Sequence, residues 1–315
     1  MIIGNIIKKE VFMKKNSKKN ISDISLFFVA IVWGGGFVII KDTLSTVTPM
    51  LLIALRFIIA SILMYLILYK KIGKISKEDI KKGSVVGTVL YLAFATQTYG
   101  LQFTTASKQG FLTAVYVAIV PFLYWLLYKK RPEIKVFVGS FLTIIGIGLI
   151  SLHGSLEINI GDSLTLVCAL FFAMHIISIE YFAKDMDVYK LAFIQIAVAA
   201  ILSTVSAILT EPFTLALTNR AWYSIIFLAV FSTFGCFTVQ TIAQKYTSSS
   251  HASILMSLES VFAAIFGIIL LNEIMTPLMI FGSVLIFIAI LIIELDLKEF
   301  NKNKLMIKFN NKDIN

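Results

Sequence analysis

The feature that most limits what this chain can fold into is a succession of ten apolar stretches. Each is close to the ~20 residues that a helix needs to cross a bilayer. They fall at about 24–40, 49–69, 83–101, 107–128, 134–152, 161–182, 189–209, 222–241, 250–271 and 277–295. In lipid the backbone has no water to bond to, so stretches of this kind must satisfy their own N–H and C=O groups as helices. Composition agrees: 58% of the 315 residues are hydrophobic and 15% are charged, with a mean hydropathy of +0.89. These values exclude a soluble globular enzyme, a disordered tail protein and a secreted disulfide scaffold. Cys168 and Cys236 each lie deep in an apolar stretch and read as small core residues, not as a redox or metal pair.

The net charge of +10 invites a nucleic-acid reading until its distribution is followed. Lysines and arginines crowd the first tail, the loops after the second, fourth, sixth and eighth stretches, and the last tail. Only Lys41, Lys108 and Arg220 fall on the other side, with Arg56 inside a stretch. By the positive-inside rule both termini are cytoplasmic, as an even number of crossings requires. The charge is thus topology and lipid-headgroup contact, with no nucleic acid as partner. Lys14 to Lys19 ahead of an apolar run resemble a secretory signal, but no small-residue cleavage site follows Ile40. The first stretch is therefore expected to stay as an uncleaved anchor in the cytoplasmic membrane. Met13 before Lys14-Lys15 also reads as a plausible start.

The chain repeats itself. A shift of 143 residues lays Phe94, Gln97, Thr98, Ser107, Leu112, Gly139, Ser140 and Leu142 on identical residues, Gln97 falling on Gln240. A shift of 139 aligns Ala30 with Ala169 and Ala60 with Ala199. Residues 24–155 and 160–296 read as two five-span halves, between basic tails at 1–23 and 297–315. Five is odd, so the second half starts from the opposite side. The expected fold is an all-α membrane protein of ten transmembrane helices in two inverted five-helix repeats. Inverted repeats of this kind belong to secondary transporters, with a site at the repeat interface near the midplane.

Polar side chains inside the stretches indicate which of them line a path. The fifth and tenth are almost bare of them and read as peripheral. The third carries Thr88, Tyr91, Thr96, Gln97, Thr98 and Tyr99, and the eighth carries Ser232, Thr233, Thr238, Gln240, Thr241 and Gln244. The small residues Gly110, Ala114 and Ala118, like Ser253 and Ser257, read as helix-packing surfaces. Glu259 lies about nine residues into the ninth stretch, roughly 13 Å deep. There it must face a cavity and be paired or protonated, as a proton-coupling group, a ligand for a substrate amine, or a structural partner for Arg56. Arg56 suits a substrate carboxylate or phosphate, or a structural ion pair. His175 is a second proton-coupling candidate, with plain packing as the alternative. Trp33 and Phe37 beside Gly34-Gly35-Gly36 suggest an aromatic wall, to which Tyr91 and Tyr116 are added.

Phosphate loop, zinc-hydrolase motif, nucleophile elbow and paired intramembrane carboxylates are all missing from the sequence. Neither an enzymatic activity, a cofactor nor a metal is expected. Trp33-Gly34-Gly35-Gly36-Phe37 with Lys41, Arg56-Phe57, and Leu258-Glu259 through Gly267 to Asn272-Glu273 together resemble the drug/metabolite transporter superfamily, EamA-type exporters in particular. The resemblance covers about residues 24–296. It implies peripheral fifth and tenth helices around a central cavity, and export of amino acids, other small metabolites or drugs. The chain departs from the family where Ser260 replaces a proline after Glu259, where Tyr116 stands opposite Glu259 in the first repeat, and at Lys129-Lys130 in place of a glutamate. The expectation is a secondary exporter of a small metabolite, such as an amino acid or a drug-like compound, working by alternating access and coupled to protons. Its substrate-binding residues would be Trp33, Phe37, Arg56, Tyr91, Gln97, Tyr116, Gln240 and Glu259. Its partners would be the small-molecule substrate and membrane lipids, in a monomer or homodimer. Uptake of a sugar or other nutrient, a lipid-processing enzyme and a non-transporting scaffold are the alternatives.

Overall fold

The structure, a computed structural model, describes the backbone of residues 2–151, 159–212 and 214–294, and side chains from 18 onward within those ranges, short of their last residues. The basic tail 297–315 and the junction 152–158 lie outside the described residues. Among the described residues the secondary structure is entirely helical. The first half is built from α1 (Ile2–Thr43), α2 (Pro49–Ile72), α3 (Lys77–Leu101), α4 (Ala106–Thr113), α5 (Tyr116–Tyr128) and α6 (Ile134–Ser151). The second half holds α7 (Ile160–Phe182), α8 (Val188–Thr210), α9 (Asn219–Phe227), a π-helical segment (Leu228–Gly235), α10 (Cys236–Ala243), α11 (Ser249–Ser257), α12 (Glu259–Leu271) and α13 (Pro277–Glu294).

All ten apolar stretches are helical, with ends within a few residues of the sequence reading, except that α1 also takes in most of the segment read as a separate basic tail. Seven helical stretches are long and apolar enough to cross a membrane, and α6 and α13 hold shorter apolar helices. The third stretch, α3, is not among the seven, because its polar residues dilute it. The starts are capped as the sequence dictates: Ser76 and Asp79 form a reciprocal capping box on α3, and Thr105, Asn159, Asp187, Thr218 and Ser248 cap α4, α7, α8, α9 and α11. Each of these caps satisfies an otherwise orphaned N–H of the first turn.

The two halves interlock. Most of the extensive contacts run between halves: α2 on α8, α3 on α7 and α8, α1 on α12, and α6 on α13. In the last pair a Cβ on Gly146 would lie 2.9 Å from the Gly282 carbonyl, and one on Gly282 would lie 2.8 Å from the Gly146 carbonyl. Only glycine lets these backbones touch, the form of packing available where lipid supplies no hydrophobic drive. Matched breaks divide both halves. The α4/α5 rod breaks before Tyr116 and the α11/α12 rod before Glu259, positions equivalent under the 143 shift. Both rods also end on a left-handed residue, Lys129 (φ 57°) and Asn272 (φ 52°), again equivalent.

Candidate functional site

The breaks have local causes. In the first rod Pro121 has no N–H to offer the Val117 carbonyl, which weakens the ladder just past the break. In the second, the hydroxyls of Ser253, Ser257 and Ser260 donate to the carbonyls of Ser250, Ile254 and Ser257, competing with the backbone for its acceptors. Tyr116 and Glu259 thereby each open a new half-helix. Gly34 of α1 sets how closely α12 approaches, since a Cβ there would collide with the Phe262 Cβ and come within 2.9 Å of the Glu259 carbonyl.

Between these elements lies a small central cavity of about 30 Å³, room for roughly two waters. Trp33 and Phe37 of α1, Arg56 of α2, Phe94 and Gln97 of α3, and Tyr116 of α5 line one part of it. Phe172 and Ile176 of α7, Ser232 of the π-helical segment, Phe237 and Gln240 of α10, Met256 of α11 and Glu259 of α12 line the rest. Seven of the eight side chains expected at a site therefore meet at one cavity. Tyr91 does not: its hydroxyl bonds the Ser206 hydroxyl at 2.5 Å, between α3 and α8. Among the described residues, none of α6 or α13 lines the cavity.

Arg56 is 2% exposed. Its Nε donates to Thr233 Oγ1 at 2.5 Å and its Nη2 to Ser232 Oγ at 3.0 Å, while the guanidinium lies 4.5 Å from the Phe94 ring centre. The wide turn of the π-helical segment presents these two consecutive hydroxyls to one guanidinium, a functional use to which such segments are often put. Trp33 Nε1 donates to the Ser232 carbonyl at 2.9 Å, tying α1 to the same turn. Glu259, 5% exposed, shares the cavity with Arg56, yet no ion pair within 4.0 Å joins the two among the described residues. The structural Arg56–Glu259 pair held open by the sequence is therefore not formed. Beside Glu259, the buried Tyr116 hydroxyl interacts with the Glu259 carboxyl group, while Gln240 Oε1 has no hydrogen-bond partner. A buried polar group left unpaired costs about 1–3 kcal/mol, so the cavity carries a polar atom that a ligand or water would satisfy. The walls are aromatic: Trp33 and Phe94 lie 5.1 and 5.8 Å from Phe237, and Phe94 lies 5.6 Å from Phe172.

His175 is fully buried but does not line the cavity. The Thr241 hydroxyl donates to the Phe237 carbonyl, so Thr241 Oγ1 must accept from Gln195 Nε2, which leaves Gln195 Oε1 to accept from His175 Nε2 at 2.7 Å. This chain places a proton on His175 Nε2. Sequence reasoning did not assign Phe94, Phe172, Phe237 or Met256 to the site, because an apolar side chain looks the same facing lipid or a cavity. Ser232 and Thr233 were visible only as polar residues of the eighth stretch.

Both ends of the bundle are tied. At one, Glu211 accepts from the Met50 and Leu51 N–H groups, Glu273 accepts from those of Ala106 and Ser107, and Lys108 pairs with Asp162 at 2.6 Å. At the other, Glu180 accepts from the Ser249 N–H, and Lys190 pairs with Asp79 at 3.2 Å. The carboxylates on helix starts exploit the positive end of the helix dipole.

Comparison with known proteins agrees with this architecture. The EamA-like transporter family profile matches the chain twice, over residues 20–152 and 159–295. An uncharacterized transporter of Archaeoglobus fulgidus is 34% identical over 278 residues, 88% of this chain and 87% of its own length. The uncharacterized transporter YoaV of Bacillus subtilis is 25% identical over 275 residues, 84% of this chain and 93% of its own. A solved crystal structure, 16% identical, shares the fold with a TM-score of 0.67 over 87% of this chain and 97% of that one.

Proposed function

The chain belongs to the EamA-like transporter family, and on that premise we propose that it is a secondary transporter of the cytoplasmic membrane exporting a small zwitterionic metabolite, such as an amino acid with an apolar side chain. The observation that carries this reading is the coexistence of a buried guanidinium and a buried carboxylate on one aromatic cavity without an ion pair between them. Arg56 would take the substrate carboxylate, with Ser232 and Thr233 holding the guanidinium in place. Glu259 would take the ammonium, or a proton when the substrate has left, which is the exchange that proton coupling requires. The aromatic walls would take the apolar part.

The topology proposed is ten spans in two inverted repeats, with both termini and the basic loops inside. Its support is the pairing of the cavity lining. Trp33 with Phe172 and Phe37 with Ile176 are equivalent under the 139 shift. Phe94 with Phe237, Gln97 with Gln240, and Tyr116 with Glu259 are equivalent under the 143 shift, and all ten residues line the cavity. A residue and its repeat mate meet in this way only near a pseudo-two-fold axis, about which exchanging the conformations of the halves gives alternating access.

The test compares metabolites inside and outside cells that express the wild type or Glu259→Gln at equal membrane abundance. One compound should leave the wild-type cells faster, and the substitution should abolish the difference. Accumulation of a compound inside would replace export with uptake. Absence of any movement, with a product formed in detergent or a protein partner co-purified, would replace transport altogether.

A further inference from the structure

Below the cavity, at the end of the bundle oriented inward above, a second and wider space of about 450 Å³ opens between α7, α10 and α11. Glu180, Lys184, Gln244, Lys245, Tyr246 and Thr247 are among the residues that line it. One carbonyl oxygen links the wall of this crevice to the wall of the central cavity. The Ile176 carbonyl accepts from Gln244 Nε2 at 2.9 Å and from Ser249 Oγ at 3.2 Å, while the Ile176 side chain lines the cavity above. Gln240, which lines the cavity, and Gln244, which lines the crevice, are one turn apart, roughly 6 Å along the helix across the partition between the two spaces.

The partition closes at the expense of unmade hydrogen bonds. A carbonyl can only accept, so the atom of Gln244 that reaches Ile176 is the amide nitrogen, and Oε1 is left over. Gln244 is 2% exposed and its Oε1 has no partner; the Thr247 hydroxyl beside it, in a residue 8% exposed, has none either. On the cavity side the Gln240 Oε1 is likewise unpaired. Two free amide acceptors therefore stand one turn apart on α10 and its C-cap, on either side of the Gln244–Ile176 contact.

We propose that Gln244 is the gate residue of the inner path: release of its bond to Ile176 joins crevice and cavity, and its Oε1 then receives an N–H donor of the passing molecule, an ammonium or amide, on the way to Gln240. The substrate half of this statement rests on the transport reading; the partition does not. Lys184 and Lys245 at the crevice suit the anionic group that a zwitterion carries along with its ammonium.

The experiment uses full-length protein in membrane vesicles, with Cys168→Ala and Cys236→Ala removing the native thiols. Thr247→Cys reports the crevice and Met256→Cys the cavity, each probed with a charged, membrane-impermeant maleimide from either face. Thr247→Cys should react from the inner face only, and Met256→Cys at least about tenfold more slowly, at a rate set by how often the partition opens. Adding Gln244→Ala should bring the Met256→Cys rate up toward that of Thr247→Cys and leave the latter unchanged. Ser249→Ala, which removes the other tie, should act in the same direction and serves if Gln244→Ala does not elute as a monodisperse protein. Equal rates at the two cysteines with Gln244 intact, no acceleration by either substitution, or reaction of Met256→Cys from the outer face alone would overturn the gate. Millimolar amino acids should slow the Thr247→Cys reaction; if they do not while the partition pattern holds, the zwitterion class is wrong and the gate stands. Labelling requires no transport, so failure of the export assay leaves this result readable.

Discussion

A guanidinium enclosed by a membrane protein keeps its charge only if something replaces the water it has lost. Arg56 has two hydroxyls and two aromatic faces for this, at Thr233, Ser232, Phe94 and Phe57, and no carboxylate within ion-pair distance among the described residues. Lysine in its place would preserve the charge but lose the planar fork and the stacking. Arg56→Lys should therefore cut export by at least about tenfold at unchanged abundance, the equivalent of ~1.4 kcal/mol, as read by efflux of whichever compound the metabolite comparison identifies. Gly34→Val tests position without touching charge. Forcing α1 away from α12 should cost about 1–3 kcal/mol, seen as a lower midpoint of thermal unfolding in detergent. At this scale the sequence exposed what lipid makes expensive. Arg56, Glu259, Gln97 and Gln240 stood out because a polar group in a span needs a reason, and all four line the cavity. Phe94, Phe172 and Phe237 carry no such mark, and Tyr91, equally conspicuous, found its partner in Ser206.

Helices drawn as single spans turn out to be composite. The α4/α5 and α11/α12 rods break at equivalent places, and the rod between Asn219 and Ala243 has a π-helical middle. Of these, Pro121 is a sequence sign; the serines of the ninth stretch read equally well as packing residues, and Ser232 and Thr233 mark Leu228–Gly235 as polar without marking a change of helix type. The ends were easier, since the apolar run stops where the helix does. Lys129 closes α5 with φ 57°, a conformation that costs a non-glycine residue roughly 1–2 kcal/mol. Lys129→Gly should raise stability by about 1 kcal/mol, whereas Asn272→Gly should gain less because asparagine tolerates this region. Thermal unfolding of the two variants side by side would show the ranking. At the start of α3, the Ser76 N–H bonded to the carboxylate holds Asp79 below the usual carboxylate range. A lowered folded pKa means that the capping box stabilises the helix above the unfolded value near pH 4, and that this contribution is lost as pH falls through the lowered one. Amide exchange in the first turn of α3 should accelerate over that window, and Asp79→Asn should remove the pH dependence.

Across the whole molecule the repeat was the most legible property, because paired glutamines inside two spans survive where leucine matches mean little. The interlocking of the halves was not legible, since a sequence shift says which residues are equivalent and nothing about which ones touch. It carries its own prediction. Residues 1–152 expressed alone should be degraded, and co-expression with 153–315 should restore an assembled protein, as judged by co-purification in mild detergent.

The same interlocking sets a timetable for synthesis. With α2, α3 and α6 each owing their main partner to α7, α8 or α13, the first five rods leave the ribosome without most of their packing partners. At roughly 5–20 residues per second, the remaining half takes on the order of ten seconds to appear. For that interval the faces destined for the second half lie against lipid, insertase or another nascent chain. A pause in translation near residue 150 would lengthen the exposure and one near residue 300 would not, so the interval most dangerous to this protein comes in the middle of its birth.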